Sequence, residues 1–186
     1  MSTLATGVLP ETGRWEVDGR HSTMRFSVRH HAVASFRASF YPLSGSYDGD
    51  TRTLRGEVRL ADLRVPIDPL RTHMLSPAFF DAESHSTIAF VSEQIATQGG
   101  ELVVSGNLTM RGVTKPVVAR GSITGPSEVP HQNDPPTEHL GIDLAATIDR
   151  REFGVDFNNE ITGGRLNLGW EVAIDVALEL IRSPAP

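Results

Sequence analysis

Every second residue of the stretch 23–29 is apolar: Met24, Phe26 and Val28 alternate with Thr23, Arg25, Ser27 and Arg29. Successive side chains of an extended strand point to opposite sides, so this stretch has one apolar and one charged face and suits a half-buried β-sheet. The same period of two sets Leu54, Val58 and Leu60 against Arg55, Glu57 and Arg59. It returns in Leu140, Ile142, Leu144, Ala146 and Ile148, and in Val172, Ile174, Val176, Leu178 and Leu180. Residues 15–17, 36–47, 87–95, 102–110 and 116–123 also read as strands, with a change of phase near Pro42 that suggests a bulge. Asp48-Gly49-Asp50, Gln98-Gly99-Gly100-Glu101 and Arg111-Gly112-Val113 are hairpin turns, so neighbouring strands run antiparallel.

The alternation stops over 68–82, where Pro69-Leu70-Arg71-Thr72-His73-Met74-Leu75 predicts a short helix ahead of Ser76-Pro77 and Phe79-Phe80. Residues 126–138 hold four prolines and read as a long exposed loop. Eight or nine one-sided strands can protect their edges by forming a sandwich or by closing into a barrel, and the pattern allows both. Gly56, Gly106, Ala119, Gly121 and Ala146 fall on the apolar faces. They either leave space inside or mark bends and bulges.

A chain of 186 residues, 39% hydrophobic and 22% charged, is sized for one folded domain, set here at residues 14–182 between tails at 1–13 and 183–186. A net charge of -6 removes the usual electrostatic basis for nucleic-acid binding and disfavours docking on an anionic membrane. With no cysteine there is no disulfide, thiolate metal site or cysteine nucleophile. The start, MSTLATGVLPETG, lacks the basic and apolar regions of a signal peptide, and no later run is long enough to span a membrane, so a cytoplasmic location is expected.

Four ordered stretches carry a family likeness. They are Trp15-Glu16-Val17-Asp18 with His21-Ser22 and Phe26-Ser27-Val28-Arg29-His30; 73–82 followed by Ile88-Ala89-Phe90; 106–117, GNLTMRGVTKPV; and Arg150-Arg151-Glu152-Phe153-Gly154. In these the chain resembles the YceI-like family, lipocalin-like proteins associated with polyisoprenoid and other long-chain amphiphile binding. Arg71-Thr72 stand where an acidic residue is expected before His73. The resemblance implies an all-β fold, an extended eight-stranded antiparallel barrel with a short helix, whose interior takes an isoprenoid or similar tail. By analogy it also allows a homodimer through a strand edge or barrel mouth.

An isoprenoid tail has no hydrogen-bonding groups, so its affinity must come from apolar area removed from water, roughly 25 cal/mol per Å² before ordering costs. Phe26, Val28, Phe40, Phe79, Phe80, Ile88, Phe90, Leu108, Ile142, Leu144 and Ile174 are, as a set, the expected lining, although any one of them taken singly reads more readily as plain core. Phe79-Phe80 would gate a mouth or plug the barrel. Arg111, Lys115, Arg150 and Arg151 are candidates for an anionic head group, and the arginine pair could instead bridge to Asp149 or Glu152.

Seven histidines raise the question of a metal. On a strand, Asp81, Glu83 and His85 would share a face, and His30-His31 would point apart. No HExxH or paired-histidine signature accompanies them, so no metal or other cofactor is expected. Neither a GxSxG elbow, a P-loop nor a GxGxxG after a strand is present. The favoured reading is a non-enzymatic carrier. The alternatives are a barrel enzyme acting on a lipid, with His73, Asp81 or His85 as acid–base groups, and a filled β-domain serving as a partner surface.

Overall fold

The computed structural model describes residues 7–130, 135–161 and 163–184. Its strands are β1 (Arg14–Val17), β2 (Thr23–His30), β3 (Ala34–Phe40), β4 (Ser44–Asp48), β5 (Thr53–Arg59), β6 (Leu63–Arg64), β7 (Thr87–Gln98), β8 (Glu101–Met110), β9 (Val113–Val129), β10 (Thr137–Asp149), β11 (Glu160–Ile161), β12 (Arg165–Leu166) and β13 (Leu168–Arg182). The helix α1 (Asp68–Leu75) sits where the alternation lapses, with Pro69 in its first turn, where a missing N–H costs nothing. Two 3-10 turns, Leu60–Asp62 and Arg150–Phe153, were not evident from periodicity.

β1 and β2 lie against opposite halves of β13, and β3 and β4 lie in turn against β2 and β1, so each pair forms one long interrupted strand. β5 and β6 pair with β4 and β3 in the same way. Counted so, eight long antiparallel strands close on themselves, because β13 returns to β1 and β2. Closure removes the free edges that a sandwich would leave. β11 and β12 form a separate small hairpin.

Hairpin chemistry fixes the registers. Gly99 and Gly100 (φ 61° and 86°), and Arg111 and Gly112 (φ 52° and 71°), take the left-handed conformations a two-residue hairpin needs to match the strand twist. Residues 36–47 are broken rather than merely bulged, since β3 ends at Phe40 and β4 begins at Ser44.

Both ends of the long loop expected over 126–138 are strand. β9 continues to Val129 and β10 begins at Thr137; residues 131–134 lie outside the described residues. Pro126 is tolerated because the ladder slips between His139 and Gly141, beside it, and that irregularity relieves it of donating a ladder bond.

One end of the barrel is packed shut. Trp15, Tyr47, Leu102, Leu140, Ile142 and Leu180 are buried there, each 2% exposed or less. Tyr47 Oη donates to the Pro10 carbonyl at 2.8 Å, Gly7 N–H to the Ile123 carbonyl and Gly49 N–H to the Gly13 carbonyl, so residues 7–13 run across this end. The opposite end carries α1, the 74–85 turns and the Arg150–Phe153 turn.

Candidate functional site

Between the closed end and α1 the interior is not filled. A cavity of about 290 Å³ lies at the α1 end, and a second of about 110 Å³ lies deeper. Met24, Ile88, Leu108 and Ile174 border both, so the two are neighbouring chambers and these four side chains form the waist between them. The larger chamber reaches the surface beside His73, an exposed residue of α1 in its wall. The period of two explains the lining: the ladder sets Met24 and Phe26 of β2 against Val176 and Ile174 of β13, so their apolar faces share the inside.

The small residues divide between the two roles left open by the sequence. A Cβ on Gly56 would meet nothing within 4 Å, and Gly56, Ala119 and Ala146 all border the deeper chamber. Gly106 and Gly121 instead allow close approach of backbones: a Cβ would sit 2.3 Å from the Val91 carbonyl oxygen and 1.8 Å from that of Asp143. One glycine makes space and two remove it.

Of the expected lining residues, Phe26, Val28, Phe40, Phe79, Phe80, Ile88, Leu108 and Ile174 border the larger chamber. Phe90 and Leu144 join Ile88, Leu108 and Ile174 around the deeper one. Ile142 borders neither and belongs to the closed end. Sequence reasoning missed Met24, Ile148 and Val172, which stand in the same alternating runs and were legible there. It also missed Leu70, Met74, Val155, Phe157, Asn167 and Leu168, which come from the helix and the irregular stretch before β13.

Phe80 is anchored. Its ring packs against Phe26 and Phe40 at 6.1 and 6.0 Å. Phe79 is half-buried at the mouth, 5.2 Å from Phe157, and His73 stands edge-on to both rings at 5.0 and 5.4 Å. This turn is held by Arg111, whose Nη1 donates to the Pro77 carbonyl at 2.8 Å and to the Phe79 carbonyl.

The four cation candidates separate. Arg111 is occupied with that turn. Lys115 is half-buried on β9 opposite Leu108 and borders neither chamber. Arg151 is paired with Asp149, Nε to Oδ1 at 3.0 Å, and the guanidinium beside Asp149 holds that carboxyl down to about 2. Arg150 alone of the four borders the larger chamber, and it is 4% exposed. Its Nε donates to the Gly169 carbonyl at 2.9 Å, and its Nη1 to the carbonyls of Val155 and Phe157 at 2.7 and 3.0 Å. The guanidinium lies over Trp170, 4.5 Å from the ring centroid, and burial pulls its pKa below the usual arginine value. Arg150 Nη2 and Asn167 Oδ1 are buried polar atoms without a protein partner.

The histidines behave differently from a strand expectation. The chain turns at His31 and Ala32 (φ 53° and 58°), which ends the alternation and brings the His30 and His31 rings to 3.8 Å. Burial, and then the neighbouring His31, lower the pKa of His30. Residues 81–85 form a turn, with the Ser84 and His85 N–H groups donating to the Asp81 carbonyl, so Asp81, Glu83 and His85 do not share a strand face. Among the described residues no group of three histidine or acidic side chains is arranged to hold a metal. Of His73, Asp81 and His85, only His73 borders the chamber. No helix among the described residues is long and apolar enough to cross a membrane.

Comparison with known proteins adds a family and a fold. The sequence model of the YceI-like domain matches residues 15–180. A UPF0312 protein of Staphylococcus aureus (strain USA300) is 26% identical over 167 residues, covering 87% of this chain and 94% of the relative. Among solved structures, BcnA of Burkholderia cenocepacia superposes with a TM-score of 0.69 at 20% identity, covering 88% of this chain and 98% of that one. A polyisoprenoid binding domain from Saccharophagus degradans, implicated in plant cell wall breakdown, gives a TM-score of 0.70 at 14% identity, covering 91% and 98%.

Proposed function

This chain belongs to the YceI-like family, and from that premise we propose that it binds and carries a polyisoprenoid or similar long-chain amphiphile, tail inward, within the barrel. The observation that carries this reading is the two-chamber tunnel, about 290 and 110 Å³, walled almost wholly by apolar side chains and shut at its far end. The larger chamber alone lies near the lower bound of small-ligand pockets, roughly 300 Å³. A lone polar ligand would lose its water contacts there without replacement, whereas an alkyl or prenyl chain gains about 0.8 kcal/mol for each methylene buried. The solved polyisoprenoid binding domain of the same fold supports the same ligand class.

Phe26, Val28, Phe40, Phe79, Phe80, Ile88, Phe90, Leu108, Leu144 and Ile174 are the contacts expected for the tail. Carriage without chemical turnover is the simplest account of an apolar chamber bordered by His73 but by neither Asp81 nor His85. Native mass spectrometry tests the proposal. Purified protein, or delipidated protein reloaded with farnesol or oleyl alcohol, should retain one chain per barrel. Failure to hold any chain, with an unchanged mass throughout, rejects it.

A further inference from the structure

We propose that Arg150 is the recognition site for an anionic oxygen head group, so that the preferred ligand is a long-chain acid rather than the matching alcohol; this rests on the barrel holding the tail. Arg150 is built into the wall of the larger chamber at 4% exposure, and among the described residues bordering that chamber it is the one arginine or lysine, with no aspartate or glutamate in the same lining; Asp149 and Asp156 act on it through space without forming an ion pair. Its protein partners are the neutral carbonyls of Gly169, Val155 and Phe157, which use Nε and Nη1. Both N–H groups of Nη2 remain unpaired, and a guanidinium offers five donors in a fixed plane.

A buried cation without a contacting carboxylate is costly, and an anion delivered by a ligand offsets that cost. The neighbouring Arg151 shows the contrast, because Asp149 already occupies it. Asn167 borders the same chamber with Oδ1 buried and unpartnered; turned about its last bond, its amide presents N–H donors instead. The carboxylate would accept from Arg150 Nη2 and from Asn167 while its chain runs past Phe26 and Phe80 toward the waist.

The experiment compares oleic acid with oleyl alcohol at pH 8 on delipidated, full-length protein, by displacement of a neutral fluorescent lipid. A charge-assisted hydrogen bond in this setting should favour the acid about 10- to 100-fold. Arg150→Met should bring the ratio of acid to alcohol affinity close to one. Should that variant fail to fold, carboxyl-13C oleic acid bound to wild-type protein gives a second readout: its carboxyl should titrate well below its value in free solution, and Asn167→Leu should raise it. Equal binding of acid and alcohol, or a bound carboxyl that titrates as it does in solution, overturns the head-group assignment and leaves tail binding intact. If neither chain binds, the barrel reading falls and the assignment falls with it.

Discussion

Gly56 gives the sharpest handle on the tunnel. It lies in the middle of β5, borders the deeper chamber, and has nothing within 4 Å of where a side chain would begin. Gly56→Val should therefore grow into free space. Cavities destabilise by about 24 cal/mol per Å³, so filling all of the 110 Å³ would return at most about 2.6 kcal/mol. Valine fills part of it, and replacing glycine inside a strand adds roughly 0.5 kcal/mol or more. A net gain of about 1–2 kcal/mol is expected for the ligand-free protein. At about 2–4 °C per kcal/mol for a chain of this size, the melting temperature should rise by about 2–8 °C. The same side chain shortens the tunnel. Chains that reach past the waist should bind about fourfold more weakly for each methylene displaced, while shorter chains are unaffected. Thermal unfolding of delipidated protein, alongside binding of a C10 to C20 alcohol series, checks both parts. A lower melting temperature with unaltered length preference would refute the reasoning.

Three further outcomes follow from named contacts. Phe80→Ala removes the ring that packs on Phe26 and Phe40 and should cost about 3–5 kcal/mol in denaturant unfolding; a loss below 1 kcal/mol would show that the ring is not anchored. The Asp149 carboxyl, held down to about 2 chiefly by its hydrogen bond from Arg151, stabilises the fold above the ordinary carboxylate pKa, and this contribution is lost as pH falls from about 4 through 2. Arg151→Gln should return its NMR titration toward 3.8 and flatten that part of the acid limb. His30, lowered by burial first and His31 second, binds fewer protons folded than unfolded, so stability should decline as pH falls below about 6.5. His31→Ala should move the His30 titration upward, and an unmoved midpoint would exclude the ring contact as a cause.

Much of the barrel was legible because one physical rule, alternation of facing, governs most of the chain. Met24, Phe26 and Val28 could be placed inside, and α1 could be located, from that rule and its interruption. What failed did so where a second chain segment decides the outcome. Gly56, Gly106 and Gly121 look alike in sequence, but only the approach of β7 and β10 backbones makes the last two into close contacts. Arg150 and Arg151 are adjacent, yet one faces the chamber and the other Asp149, because the 3-10 turn rotates successive side chains apart. His30 and His31 stack because the chain leaves extended geometry at His31. Phe157 and Asn167 come from a stretch without periodicity, and only the folded mouth reveals them.

The packed floor of Trp15, Tyr47 and Leu180, crossed by the amino-terminal segment, turns the barrel from a pipe into a gauge. An occupant enters and leaves by the same door, and its far tip comes to rest at a fixed depth. How many carbons it carries then decides how far its other end stands from the rim.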